Sequence, residues 1–262
     1  MSANKRIVFT TAKPTGENKQ LQQDEDGYYL VILGGLNIFN ENGAFYLAEG
    51  VQDLIKKEST VFYRRLTRGY LKGEVNHPAW EPGMTKNDYF IRCNKIDKDR
   101  TSHHIKEIIL EPTEISSGFE TRKIVLIKGW IKPSGPRGDE LKRDLDDPNI
   151  NVPFSIRSFT MDDTTTRPVT KLIQQIVTFD WVDEPGINRA NKFSTLNGGT
   201  EQPKVSNESM EIVLDSLDIK NLIASSTTIE NIGHESMDFV DSIKELQSIF
   251  KSTDKLGILN KW

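Results

Sequence analysis

Four histidines stand in this 262-residue chain, at positions 77, 103, 104 and 234, so the search for a general base is short. His77 lies in Gly73-Glu74-Val75-Asn76-His77-Pro78. Glycine and proline around it break regular structure, which puts the imidazole at a strand-to-loop transition, within reach of a cleft. A surface histidine in a turn is the alternative. Ser155 lies in Val152-Pro153-Phe154-Ser155-Ile156-Arg157-Ser158-Phe159. A serine hydroxyl is inert until a base takes its proton, and acyl transfer also needs donors aimed at the developing oxyanion. Arg157, beyond Ile156, is spaced to bring its guanidinium, or the backbone amides around it, near that oxygen. A Ser and an Arg alternating on a strand equally describe a solvent face. Asp180 closes the run Ile176-Val177-Thr178-Phe179, and an acid there can orient an imidazole and stabilise it once protonated. Asp183 is the rival acid, although an Asp before Pro185 also serves simply to cap a turn.

Other chemistries find less support. His103 and His104 are adjacent on an expected strand edge, so their side chains point to opposite faces and do not share a metal. With only Cys93 nearby, no zinc site is expected. Cys93 is the one cysteine, which excludes an internal disulfide and fits a reducing compartment. A net charge of -4 argues against broad phosphate-backbone binding, so no nucleic-acid partner is expected. The basic run Arg64-Arg65-Leu66-Thr67-Arg68 then reads as a solvated face or a contact for acidic peptide. The first twenty residues lack a signal-peptide core, and no apolar run reaches membrane-spanning length. The expectation is a soluble cytosolic chain with no membrane partner.

Positioning those residues requires strands. Tyr28 to Leu33, residues 88–96, 104–111, 119–131, 151–159 and 170–182 read as strands. Residues 48–57 and 137–146 read as helices, the second ending before Pro148. Asn40-Glu41-Asn42-Gly43 supplies a turn. Strands dominate without regular alternation with helices, which predicts a mainly β, α+β fold. Residues 1–27 read as a polar, mobile arm and 28–190 as the catalytic domain. A polar stretch at 186–209 reads as a linker, and 191–262 as linker plus a helical tail, with helical periodicity at 210–223 and 236–250.

Gly73-Glu74-Val75-Asn76-His77-Pro78 resembles the Gly-Glu-Leu-x-His-Pro signature of tailed-phage prohead proteases, the serine proteases of capsid maturation, distant relatives of herpesvirus assemblin. Asn40-Glu41-Asn42-Gly43 with Tyr46 is similar to that family's Asn-x-Asn-Gly-Arg-x-Tyr turn. Ser155-Ile156-Arg157 resembles its Ser-Ser-Arg segment, and Asp180-Trp181-Val182-Asp183-Glu184-Pro185 its acid-bearing stretch. The resemblance implies an assemblin-like β-barrel flanked by helices. It implies His77 as base, Ser155 as nucleophile, Asp180 as third member, and Arg157 with Ile156 beside the oxyanion. Because assemblin uses a histidine as third member, His103 or His104 is a further rival to Asp180.

It also implies scaffold and capsid proteins as substrates, cleavage after Glu, no cofactor, a homo-oligomer, and a place inside the immature capsid in the host cytoplasm. Ile156, Ser158 and Ala44 depart from the family's Ser, Gly and Arg. The first two touch the oxyanion segment and keep open a catalytically inactive assembly protein with the same fold. Small-x-Glu triplets end at Glu208 and Glu235 in the tail and make these candidate self-cleavage sites. Those at Gly118-Phe119-Glu120 and Gly138-Asp139-Glu140 are expected to be protected by the folded domain.

Overall fold

The computed structural model describes residues 20–117, 120–199, 241–245 and 248. Its core is built from two four-stranded sheets. The first has the order β1-β6-β5-β4, with β1 at Tyr29–Leu36, β4 at Lys72–Glu74, β5 at Thr101–Ser117 and β6 at Glu120–Pro133. The second has the order β2-β3-β8-β7, with β2 at Ile38–Phe39, β3 at Phe45–Tyr46, β7 at Phe154–Asp163 and β8 at Thr170–Trp181. Helices α1 (Val51–Lys56), α2 (Val61–Thr67), α3 (Lys86–Asn94), α4 (Gly138–Asp146) and α5 (Lys192–Leu196) complete an α+β fold. Among the described residues no helix is long and apolar enough to cross a membrane.

The sheets share one apolar layer. Val31, Leu33, Ile105, Ile127 and Ile131 from the first meet Phe154, Ile173, Ile176 and Phe179 from the second. Phe154 and Phe179 are fully enclosed, and truncating either to Ala would cost about 3–5 kcal/mol. The expected closed barrel is not found. Among the described residues the two sheets keep separate ladders, joined only where β4 meets β8 through the Val75–Trp181 bridge. Asn76 N donates to Trp181 O at 2.6 Å at this seam. Gly73 makes the approach feasible: a Cβ there would stand 2.2 Å from both the His103 ring and the Phe179 carbonyl oxygen.

Several local expectations shift. Residues 88–96 were expected as a strand from their apolar residues, but most of them lie in α3. Thr85 and Asp88 form a reciprocal capping box at its start, and Phe90 and Asn94 share its buried face. Capping and helical spacing outweigh the β-prone residue types. α2 and β4 had no counterpart in the sequence reading; Thr60 caps α2 by accepting from Tyr63 N. His103 and His104 lie on β5, which pairs with β4 and β6 and is not a sheet edge.

Residues 20–27, read as arm, pack against β1: Leu21 is buried and Leu30 N donates to Gln22 O. Residues 186–199 of the expected linker are folded too, with Ile187, Ala190 and Asn191 buried and Ile32 N donating to Thr195 Oγ1. Within the tail, residues 241–245 are helical and seated on the domain. Arg64 pairs with Asp241 at 2.8 Å, Ser242 Oγ donates to Asn94 Oδ1 at 2.9 Å, and Ile243 is buried.

Candidate active site

β7 and β8 run antiparallel with Ser155 directly opposite Asp180 and Arg157 opposite Thr178. Opposed and alternate residues of a ladder share a face, so Ser155, Arg157, Thr178 and Asp180 project to one side. That side is covered by β4 and the loop after it: Thr178 Oγ1 donates to Lys72 O at 2.6 Å. A register shift between Gly73 and Glu74 turns the Glu74 amide to Asp180 Oδ1, at 3.0 Å. The chain then bends at Asn76, whose φ of 59° lies in the left-handed region that Asn tolerates. The next residue is His77.

That bend delivers the imidazole to the acid. His77 Nδ1 stands 2.7 Å from Asp180 Oδ2, the histidine partly exposed and the carboxylate fully enclosed. Asp180 also accepts from Arg157 Nε at 2.7 Å and Arg157 Nη2 at 2.8 Å. Burial alone would push the Asp180 carboxyl up. The Arg157 guanidinium and the His77 hydrogen bond prevail and hold it well below the usual carboxylate range. An ionised acid on Nδ1 leaves Nε2 as the nitrogen able to accept a proton.

Ser155 is half-buried on this face, on the same rung as Asp180. A Cβ on Gly186 would lie 3.9 Å from Ser155 Oγ, so the segment after β8 flanks the hydroxyl. Among the described residues Ser155 Oγ and His77 make no hydrogen bond to each other. Catalytic contacts of this kind commonly tighten only when substrate is bound.

The rival acid goes elsewhere. Asp183 is exposed, accepts from Asn76 Nδ2 at 3.1 Å and returns its own amide to Asn76 Oδ1 at 3.1 Å. This pair clamps the bend that carries His77. Arg157 departs from its expected place beside the oxyanion. Its guanidinium turns inward, onto Asp180, the Glu74 carboxylate at 3.2 Å and the Lys95 carbonyl at 3.0 Å. Ile156 faces away from the acid, against the apolar core. His103 is fully buried on β5, its Nδ1 2.9 Å from Ser102 Oγ, and burial pushes it down to about 4. It does not touch the pair. His104 bonds Tyr28 and the Gly69 carbonyl. Among the described residues no cluster of three or more His, Cys, Asp or Glu is placed to hold a metal ion. His234, Glu208 and Glu235 lie outside the described residues.

The spacing of Glu74 and Arg92 carried no signal of the role that the fold gives them. Both contribute to the charge layer behind Asp180, and only Glu74 stood within a recognised motif.

A serine across a ladder from an acid that orients a histidine is the equipment of a serine-type peptidase. The model of the Peptidase S80 family matches residues 7–246. The "Capsid maturation protease" of Pseudomonas phage phiKZ is 36% identical over 201 residues, covering 73% of this chain and 71% of the relative. The chain belongs to the Peptidase S80 family and is a serine-type peptidase. No solved structure matches.

Proposed function

We propose that this peptidase acts in capsid maturation, with Ser155 as nucleophile, His77 as general base and Asp180 as the acid that orients it. The contact between His77 Nδ1 and Asp180 Oδ2 carries this reading, with Ser155 opposite Asp180 on the same face. His77 Nε2 takes the Ser155 proton as Oγ attacks the scissile carbonyl carbon. The same proton then passes to the leaving amine, and water hydrolyses the acyl-enzyme by the reverse relay. Backbone amides beside Ser155 serve the oxyanion, since the Arg157 guanidinium is engaged below.

The substrates of this proposal are the scaffold, the capsid-protein leader and the chain itself, cut after Glu inside the immature capsid of a phage. The chain works there as a homo-oligomer, with an assemblin-like arrangement and without nucleic acid as a partner. Residues 28–190 form the body of the catalytic domain, on which residues 20–27 and 191–199 also pack. The tail beyond them is a regulatory or targeting segment, trimmed after Glu208 or Glu235.

Intact-mass measurement on purified protein over time tests the proposal. Active chain should shorten by cuts after Glu208 or Glu235, while Ser155→Ala chain keeps its full mass. Shortening of the Ser155→Ala protein at an equal rate would overturn the assignment of the nucleophile. Cuts confined to 28–185 would overturn the tail reading alone.

A further inference from the structure

Behind the pair of His77 and Asp180 lies a layer of buried charge that the reaction does not itself require. The Glu74 carboxylate is fully enclosed and receives Arg92 twice, at 3.1 and 2.6 Å, and Arg157 Nη1 at 3.2 Å. It also accepts the Asp97 amide at 2.7 Å. Arg157 bridges the two acids, with its other two nitrogens on Asp180. Glu74 therefore reaches Asp180 twice, through Arg157 and through its own amide. Two carboxylates and two guanidiniums sum to zero. At the rim, Arg100 stands 3.8 Å from Glu74 and Asp97 stands 3.8 Å from Arg92, and these two again cancel.

Stability gives little reason for such an array. Desolvating four charges costs about as much as their attraction returns, and apolar replacements of buried ion pairs are often neutral or stabilising. Orientation gives a better one. The side-chain contacts of Glu74 and Arg157 link Arg92 at one end to Asp180 at the other, and the carbonyls of Cys93 and Lys95 anchor the guanidiniums. With the layer neutral, proton transfer to His77 adds a single positive charge beside one ionised acid.

We propose that Glu74 and Arg92 are positioning residues: with Arg157 they form a charge-balanced cradle that holds Asp180 ionised and in one orientation against His77. This rests on the catalytic assignment of Ser155, His77 and Asp180. Removing charge from either end of the cradle unbalances it in opposite senses. Glu74→Gln leaves it positive, so an imidazolium forms less readily and the acid limb of activity moves to lower pH. Arg92→Gln leaves it negative, and the limb moves to higher pH. The other groups facing the pair or the cradle are His103 on β5, Cys93 and Tyr89 on α3, and Asp183 beyond β8. All of them are unchanged in these variants.

The test uses the full chain and a fluorophosphonate probe, whose covalent capture by an activated serine does not depend on peptide specificity. Labelling rate against pH is read by intact mass, and thermal melting confirms that each variant folds. Glu74→Gln should label about ten-fold more slowly on the plateau, with its acid limb about one pH unit lower. Arg92→Gln, at the partly exposed end of the cradle, should show a smaller shift of the limb upward. Limbs that stay in place, or move in the same direction, would overturn the cradle and leave Glu74 and Arg92 as structural residues. If Glu74→Gln fails to fold, the direction of the Arg92→Gln shift decides. Wild-type protein that labels no faster than Ser155→Ala would instead overturn the catalytic assignment itself.

Discussion

Two groups of charges in this molecule share the same chemistry and differ in their access to water. On β5, Lys106 reaches Asp24 at 2.9 Å and Asp26 at 3.0 Å, and all three side chains keep contact with solvent. Below β8, Asp180, Glu74 and Arg157 form pairs of similar length and are enclosed. The exposed pairs are screened by water and contribute little that can be measured. The enclosed ones cannot lose a partner without leaving a charge stranded. Geometry alone therefore does not separate an ornamental ion pair from a functional one, whereas burial does. The enclosed group is also the one that touches His77.

On the proposed catalytic assignment, the largest effects should come from Ser155 and His77. Ser155→Ala or His77→Ala should each lower the peptidase rate by about 10³ or more, and the double variant should be no slower than either single one, because such residues act as a unit. Initial-rate assays on folded protein decide this, and additive losses would break the unit. Next come the two acids of the β8 end. Asp180→Asn should cost about 10²–10⁴ in kcat, since an amide can hold the imidazole in the wrong tautomer. Asp183→Asn, which disturbs only the Asn76 clamp, should cost no more than a few-fold. The reverse order would transfer the role to Asp183.

A smaller effect is expected in stability. His103 is enclosed and its proton affinity is pushed down to about 4 from 6.5, so the unfolded chain takes up the proton first as the solution is acidified. Its contribution to stability is complete above pH 6.5 and is lost as pH falls to about 4, a change on the order of 3 kcal/mol. Asp180 acts in a lower window, below the ordinary carboxylate range, because its folded-state affinity is depressed. His103→Gln should flatten denaturant-derived stability between pH 6.5 and 4, leaving the contributions of His104, which burial pushes down, and of Glu245, which burial pushes up and which acts in the opposite sense. A slope that persists in full would remove His103 from the account. The smallest effect sharpens the comparison from the other side: Lys106→Ala should leave the melting temperature unchanged within error.

What could be read without the structure was local. The strands that became β7 and β8, the helix at 137–146 and the turn at Asn40 to Gly43 are written in neighbouring residues, whose spacing and turn chemistry act over a few positions. Ser155, His77 and Asp180 came from motifs and their order. The capping residues Thr85 and Asp88 were also present in the sequence, and giving them more weight than the apolar run at 88–96 would have identified α3. What only the tertiary structure decided is which charge meets which. Glu74 and Asp180 are 106 positions apart, and no periodicity relates them. Their meeting depends on the bulge at Gly73, the seam between β4 and β8, and the bend at Asn76. The inward turn of Arg157 has the same origin. A guanidinium on a strand face points to water or to an acid according to what packs over that face, and here the covering element is β4 with its buried Glu74.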